Sequence, residues 1–221
     1  LGRDVGLKSE RKYDLLSQQN KDGVSPLMWA ANKGHKEIVS FILNEAGLDP
    51  DQKYELLSHQ EAKGGYCPLM WAVREGHTEI VRLILGAVED SKKYKLLSRQ
   101  GTKDGASSLM VASSGRPDIV SFILAEPGLT DEEKIKLISQ PAKLKTRKAE
   151  GLNSLFESAF SEDITIFNIF SLYLSQKSSQ DKPIFMDLTG WSDKLSAATD
   201  ADTESRLLEL FCFGVDQGQW S

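Results

Sequence analysis

The chain has 221 residues, of which 40% are hydrophobic and 27% are charged, and this ordinary globular composition excludes a disordered or fibrous protein. The net charge of −5 argues against general binding to nucleic acid or to an acidic membrane surface. The acidity belongs to the tail, because residues 181–221 hold eight acidic and three basic residues, whereas the charge of the residues before them is balanced.

Several local features bear on where the protein resides. The N-terminal segment lacks the apolar core of a secretory signal peptide, and the longest apolar stretch, residues 164–174, is too short to cross a bilayer. Cys67 and Cys212 lie far apart without regular spacing, which favours a reduced protein over a disulfide-stapled one. We therefore expect a cytoplasmic protein without membrane insertion. Because the sequence begins with Leu1, we also expect it to be a trimmed chain or fragment.

Two motifs alternate along the chain in a fixed step. The first reads SPLMWAANKGHKEIVSFIL from Ser25, CPLMWAVREGHTEIVRLIL from Cys67 and SSLMVASSGRPDIVSFIL from Ser107, with an eroded copy from Gly151. Its Leu-Met pair recurs after 42 and then 40 residues. The second motif reads KYDLLSQQ, KYELLSHQ, KYKLLSRQ and KIKLISQP, at spacings of 41, 40 and 41 residues. Two interleaved motifs in step over four copies predict a repeat architecture.

The first motif predicts a pair of helices. Ser25 followed by Pro26 suits an N-cap and the first helical position, and Gly34 can end this short helix in the left-handed conformation. The second helix of the pair, from residue 35 to residue 43, has more apolar surface than one neighbour can cover. We therefore expect it to be sandwiched between copies.

The second motif predicts a short extra helix in each repeat, where Tyr54, Leu56 and Leu57 would cover the repeat core. After the fourth copy, residues 175–183 are polar and rich in turn-forming residues, which indicates a linker. The apolar face of TESRLLELFCFGV, from Thr203, predicts a helix that caps the end of the array.

The first motif resembles the ankyrin signature TPLHxAAxxGHxEIVxxLL over roughly residues 10–175, with Met28, Met70 and Met110 where that signature has histidine. The resemblance implies an all-α ankyrin-repeat solenoid with an extra short helix per repeat and a helical C-terminal cap. Residues 1–175 would form about four units, the fourth degenerate, and residues 176–221 a linker and an acidic cap. The LLSxQ insertion resembles that of effectors which intracellular bacterial pathogens deliver into host cells.

The residues that could carry chemistry favour a protein that is not an enzyme. His35 and His77 occupy the Gly-His step, where the family uses the imidazole to brace a turn. The spacing of His59 and of the two cysteines matches no metal-ligand pattern, and the sequence contains no phosphate-binding glycine loop. We expect no cofactor and no metal. The alternative is the substrate-recognition part of a larger enzyme, whose catalytic domain lies outside this chain or in the tail.

Two further features have both a binding and a structural interpretation. Trp29 and Trp71 share one repeat position and could form an aromatic ladder for a partner, but Val111 at the third site favours the helix–helix core. The basic run KLKTRK, residues 143–148, could contact an acidic partner, but a solvated loop would have the same composition. We favour the structural interpretation for both.

In ankyrin arrays the turn tips and the exposed side of the first helix line a concave face. The resemblance places there a chemically mixed set of residues that differs between copies, and such a mixture suits protein recognition. We therefore expect this chain to be a module that binds a partner protein. The effector resemblance implies that the partner is a host protein. The net charge of this chain favours a monomer. The candidate partner-binding residues are Asp22, Val24, Asn32, Lys33, Lys63, Tyr66, Arg74, Glu75, Asp104, Ala106, Ser113 and Ser114.

Overall fold

The computed structural model describes residues 9–103 and 105–140 together with residues 169, 170 and 173. The chain divides into two compact units, residues 1–103 and residues 104–221. Ten α-helices lie in the described ranges. In the first unit they are α1 Ser9–Leu16, α2 Pro26–Lys33, α3 Lys36–Ser40 with a π-helical turn Phe41–Glu45, α4 Pro50–Ser58, α5 Pro68–Glu75, α6 Thr78–Gly86 and α7 Asp90–Leu97. In the second unit they are α8 Ser108–Ser113, α9 Pro117–Ala125 and α10 Asp131–Ser139.

The first helix of the first pair, α2, begins and ends as its sequence predicts. In α2 the Ser25 hydroxyl accepts a hydrogen bond from the Met28 N–H at 3.2 Å, and Pro26 occupies the first turn. The helix ends at Gly34, whose φ of +75° is the left-handed conformation that glycine adopts without strain. The predicted N-cap, proline position and C-cap are therefore confirmed.

The second motif forms the predicted extra helix. In α4, Leu56 and Leu57 are fully buried, so one side of this helix covers the repeat core. Asp49 starts the helix in a reciprocal capping box with Gln52. The same motif forms α1 and α7, and it forms α10 in the second unit.

Within the first unit, each helix of one repeat packs against its equivalent in the next. Helix α2 packs on α5, α3 on α6 and α4 on α7. Leu27, Met28, Leu69 and Met70 are fully buried at these contacts. Burial of such side chains stabilises by roughly 1.5–3 kcal/mol each, so methionine serves as packing where the ankyrin signature has histidine.

In the second unit, the structure describes α8 to α10 and a few residues beyond them. Phe170 is fully buried, and the Tyr173 hydroxyl donates a hydrogen bond to the Asp131 carboxylate at 3.1 Å. The rest of the eroded fourth repeat, the linker and the predicted C-terminal cap lie outside the described residues. The all-α, repeat character of the fold is confirmed.

Contact between neighbouring extra helices gives Tyr13 an unusual ionisation. Burial, together with a hydrogen bond to Glu55 of α4 and the charge of that carboxylate, raises the pKa of Tyr13 to about 12. An unfolded tyrosine ionises near pH 10, so between about pH 10 and about pH 12 only the folded state keeps this proton. The stability that this proton provides is present below about pH 10 and is lost as the pH rises through that window.

We expect the Tyr13→Phe variant to lose less stability than the parent chain between about pH 10 and about pH 12, because it has no proton to release there. Urea unfolding across this range measures the effect. Absorbance of tyrosinate in the same samples should show one fewer late-ionising tyrosine in the variant. Parallel stability curves for the two proteins would contradict the raised pKa.

Candidate functional site

Helices α2 and α5 carry tryptophans at one repeat position, of which Trp29 is exposed and Trp71 is half-buried. Helix α2 buries Leu27, Met28, Ala30 and Ala31 on both sides of Trp29, which is left 57% exposed. The prediction that the tryptophans belong to the core is wrong for Trp29. The reason is that the residues before and after Trp29 in α2 pack against neighbouring helices, whereas Trp29 projects from the side of α2 between these two contacts.

Basic side chains lie over the aromatic rings of both helices. The Lys33 ammonium is 5.0 Å from the centre of the Trp29 ring. On α5 the Arg74 guanidinium is 5.6 Å from the ring of Tyr66 and 5.5 Å from the ring of Trp71. These two rings meet edge to face, with centres 5.4 Å apart. We call these five residues the aromatic–cation cluster. Cation–π contacts at exposed sites contribute about 0.5–1 kcal/mol each, enough to restrict the side chains before a partner binds.

The turn that precedes α5 is organised around a buried carboxylate. Glu61 accepts hydrogen bonds from the backbone N–H groups of Lys63 at 2.6 Å, Gly64 at 2.7 Å and Tyr66 at 3.3 Å. Sequence reasoning missed Glu61. A signal did exist, because Asn20 occupies the same repeat position and a side-chain oxygen at this point of a turn commonly accepts from the following N–H groups.

The turn tips of the first two repeats are joined directly. The Ala62 N–H donates to the Asp22 carbonyl at 2.9 Å, and the Lys63 ammonium lies 3.3 Å from the Asp22 carboxylate. The Gln60 amide donates to the Gln100 carbonyl at 2.9 Å, which extends the connection to the next turn. These bonds connect successive turns, and Gln60, the last residue of LLSHQ, contributes through its side-chain amide, a structural role that sequence reasoning missed.

The structure places the predicted partner-binding residues in three environments. Of the twelve residues, Lys33, Lys63, Arg74, Glu75 and Ser114 are exposed, Asp22, Val24, Asn32 and Ala106 are half-buried, Tyr66 and Ser113 are buried, and Asp104 lies outside the described residues.

The prediction that Tyr66 and Ser113 are exposed is wrong. Tyr66 is only 8% exposed, because Trp71 packs against its ring and Arg74 lies over it. Ser113 is fully buried, and its hydroxyl donates to the Leu109 carbonyl at 2.8 Å within its own helix. Tyr66 is therefore the buried member of the aromatic–cation cluster. Ser113 presents no polar group to a partner.

The histidines of the Gly-His step differ in environment. His77 Nε2 donates to the Asn32 carbonyl at 3.2 Å, and its ring lies against Gly34, where a Cβ would be 2.7 Å from the ring. His77 therefore joins the second repeat to the end of α2, and its predicted structural role is confirmed. His35, at the same position of the first repeat, is exposed.

The described residues include one cysteine, Cys67, which is buried. Burial raises the pKa of the Cys67 thiol, which disfavours the thiolate that a nucleophilic cysteine requires. Residues 9–103 and 105–140 contain no group of three or more histidine, cysteine or acidic residues that could hold a metal ion. None of the helices in this part of the chain is long and apolar enough to cross a membrane. Cys212 and the basic run at residues 143–148 lie outside the described ranges.

Comparison with known protein families agrees with this architecture. A family model of ankyrin repeats in three copies matches residues 7–93 and 54–134, which together make up more than half of the chain. No curated protein matches the chain. The matched residues contain the three helix pairs and their connecting turns, and the chain belongs to the ankyrin-repeat family, whose members are generally protein–protein interaction modules.

Proposed function

We propose that this chain binds a partner protein through the exposed side of α2 and α5, with the aromatic–cation cluster at the centre of the contact. The observation that carries the proposal is Trp29, a large aromatic side chain that is 57% exposed on a well-packed helix, with Lys33 over its ring. Tryptophan and arginine are enriched among the residues that dominate binding energy, and both are present in this cluster.

The charges around the cluster support a protein partner. Lys33 and Arg74 are cationic, whereas Glu75 beside them is an exposed acid and Asp22 is paired with Lys63. This mixture differs from the uniformly basic stripe that nucleic acid requires. Ala106 and Ser114, which lie in the second unit, stay predicted partner-binding residues.

The proposal extends to the biological setting. The LLSxQ insertion, which forms α4 and α7, resembles that of bacterial effectors, and this resemblance supports a secreted effector that acts on a host protein inside the host cell. The partner would then be a eukaryotic protein. Burial raises the pKa of the Cys67 thiol, which supports a binding role over a cysteine nucleophile at this position.

The test is affinity capture from a eukaryotic lysate with the full chain immobilised, followed by mass spectrometry. The Trp29→Ala/Arg74→Ala variant removes both anchors of the cluster. The matched control is Phe41→Ala/Arg82→Ala, which removes one exposed aromatic and one exposed arginine from the second helices of the same repeats. Circular dichroism and urea unfolding verify that both variants are folded.

We expect the control to retain a small set of proteins that the cluster variant loses, with dissociation constants weakened about 30-fold or more, as for loss of a binding hot spot. Retention of the same proteins by both variants would place the contact elsewhere on the chain. A bacterial lysate treated in parallel tests whether the partner is a host protein. Specific capture from the bacterial lysate alone would contradict a host partner.

A further inference from the structure

The first two repeats differ in the residues that surround their tryptophans. In the second repeat the ring of Tyr66 meets Trp71 edge to face, and Arg74 lies over both rings. In the first repeat, Val24 occupies the position of Tyr66 and Asn32 the position of Arg74. The first repeat therefore has the tryptophan but lacks the second ring that packs against it.

An open groove of about 350 Å³ lies beside the tryptophan of the first repeat. Its lining combines apolar groups with side-chain amides, from Gln18, Gln19, Asn20, Val24, Pro26 and Trp29. Val24 and Trp29 are the counterparts of Tyr66 and Trp71, so the groove borders the two positions at which the second repeat packs a ring on its tryptophan. The difference arises within the repeats themselves, because valine has no ring to fill this space.

The amides of the groove can hydrogen-bond to the main chain of a bound segment. The Asn20 Oδ1 accepts from the N–H groups of Asp22 at 2.9 Å and Val24 at 3.0 Å, which fixes this side chain with its NH2 group still able to donate. Gln18 and Gln19 are exposed, and neither side chain has a hydrogen-bond partner among the described residues. An extended segment of a partner therefore finds donors and acceptors beside the apolar part of the groove.

The charges beside the groove are positive. The Lys33 ammonium lies 5.0 Å from the centre of the Trp29 ring and makes no salt bridge with any carboxylate of the described ranges. Lys21, in the turn beside the groove, is exposed and is likewise unpaired within the described part of the chain. The acidic residue of the same turn, Asp22, is paired with Lys63. Charge complementarity therefore favours an acidic segment as the ligand.

We propose that this groove binds an aromatic side chain of the partner protein, carried by an extended segment with an acidic residue next to the ring. The ring meets Trp29 edge to face, as Tyr66 meets Trp71 in the second repeat. Lys33 takes the role that Arg74 has there, over the rings, and pairs with the neighbouring carboxylate. The inference rests on the proposed function, because the groove adjoins the tryptophan at the centre of the proposed contact.

The test is an NMR titration of the full chain with three short peptides as probes. The first is acetyl-Gly-Asp-Tyr-Asp-Gly-amide, the second has leucine in place of tyrosine, and the third has lysine in place of both aspartates. The indole N–H signal of Trp29, assigned by its loss in the Trp29→Phe variant, reports binding at the groove. The comparison of probes uses the parent chain, so it does not depend on the folding of a groove variant.

We expect the tyrosine peptide to shift the Trp29 signal saturably. The leucine peptide should bind about tenfold more weakly, because it lacks the ring–ring and cation–ring contacts. The lysine peptide should bind about threefold more weakly, because its charges oppose Lys33. Equal binding of all three peptides, or no shift of the Trp29 signal by the tyrosine peptide, would overturn the proposal.

A Val24→Tyr variant fills the groove from within the chain. The second repeat carries tyrosine at this position, and the hydrogen bonds that join Asn20 and Val24 use the backbone of Val24 and not its side chain. We expect the variant to be folded by circular dichroism and to bind the tyrosine peptide more than about tenfold more weakly. The matched control, Ser91→Tyr, adds the same ring at an exposed position of α7 and should bind as the parent does. A folded Val24→Tyr chain with the affinity of the parent would overturn the proposal.

The capture experiment separates this inference from the proposed function. If Trp29→Ala/Arg74→Ala loses the captured proteins and Val24→Tyr retains them, the cluster binds the partner without the groove, and this inference alone fails. If both variants retain the proteins, the proposed function fails as well. Loss of the same proteins by both variants supports both.

Discussion

The Ile80→Asp variant is expected to lower the free energy of unfolding of the first unit by more than about 4 kcal/mol, because it buries a carboxylate with no partner. Ile38→Asp makes the same change at the same repeat position and is expected to cost less than about 1 kcal/mol, since half of that side chain already faces solvent. Urea unfolding followed by tryptophan fluorescence measures both, because two of the four tryptophans, Trp29 and Trp71, lie in the first unit.

A milder substitution separates the effect of charge from the effect of shape. Ile80→Val removes one methyl group from the packing of α6 and is expected to cost about 0.5–1.5 kcal/mol. Equal costs for the aspartate substitutions at Ile80 and Ile38 would mean that the two positions share one environment, contrary to the difference in their exposure.

The Glu61→Ala variant is expected to lower the free energy of unfolding by about 2–4 kcal/mol, since each buried group that loses its hydrogen-bond partner costs about 1–3 kcal/mol. The carboxylate is nearly inaccessible to solvent, and three backbone N–H groups of the turn donate to it. The loss of these bonds should also loosen Tyr66 and therefore the Arg74 side chain above it. Hydrogen exchange of residues 63–66 should accelerate together with the loss of stability.

Two comparisons make this prediction specific. Glu61→Gln keeps one acceptor oxygen, which accepts from Gly64 and Tyr66, but replaces the oxygen that accepts from Lys63, so its cost should be intermediate. Asn20→Ala alters the same repeat position of the first turn, where the side chain is exposed, and should cost about 1 kcal/mol. A Glu61→Ala variant that is no less stable than Asn20→Ala would show that water replaces the carboxylate.

Much of the local structure could be predicted because it depends on neighbours in the chain. The N-cap at Ser25, the left-handed Gly34 and the extra helix with its buried Leu56 and Leu57 follow from residues within a few positions of each. The repeat spacing then identified which helices are equivalent. Capping, helix termination and helical periodicity are short-range effects, so the sequence carries them directly.

The candidate site was harder to predict because exposure depends on what packs from outside the local segment. Val111 at the third equivalent site favoured burial for Trp29, and the turn position favoured exposure for Tyr66, whereas the structure shows the reverse. Trp29 lies on the exposed side of α2, whereas Arg74 and Trp71 cover Tyr66. Repeat spacing identifies which residues lie at a turn tip or at a given helix position. It does not identify which other side chains will cover those residues.

The sequence by itself therefore determined the family, the helix pairs with their caps, and the extra helix in each repeat. Only the tertiary structure decided which face carries the exposed aromatic–cation cluster and which apolar positions of the first repeat are exposed. Ile38 and Ile80 show the reason, since the same residue in the same motif is half exposed in one repeat and buried in the next. The burial of a position depends on the repeat that packs against it, and the sequence of the motif does not specify that neighbouring repeat.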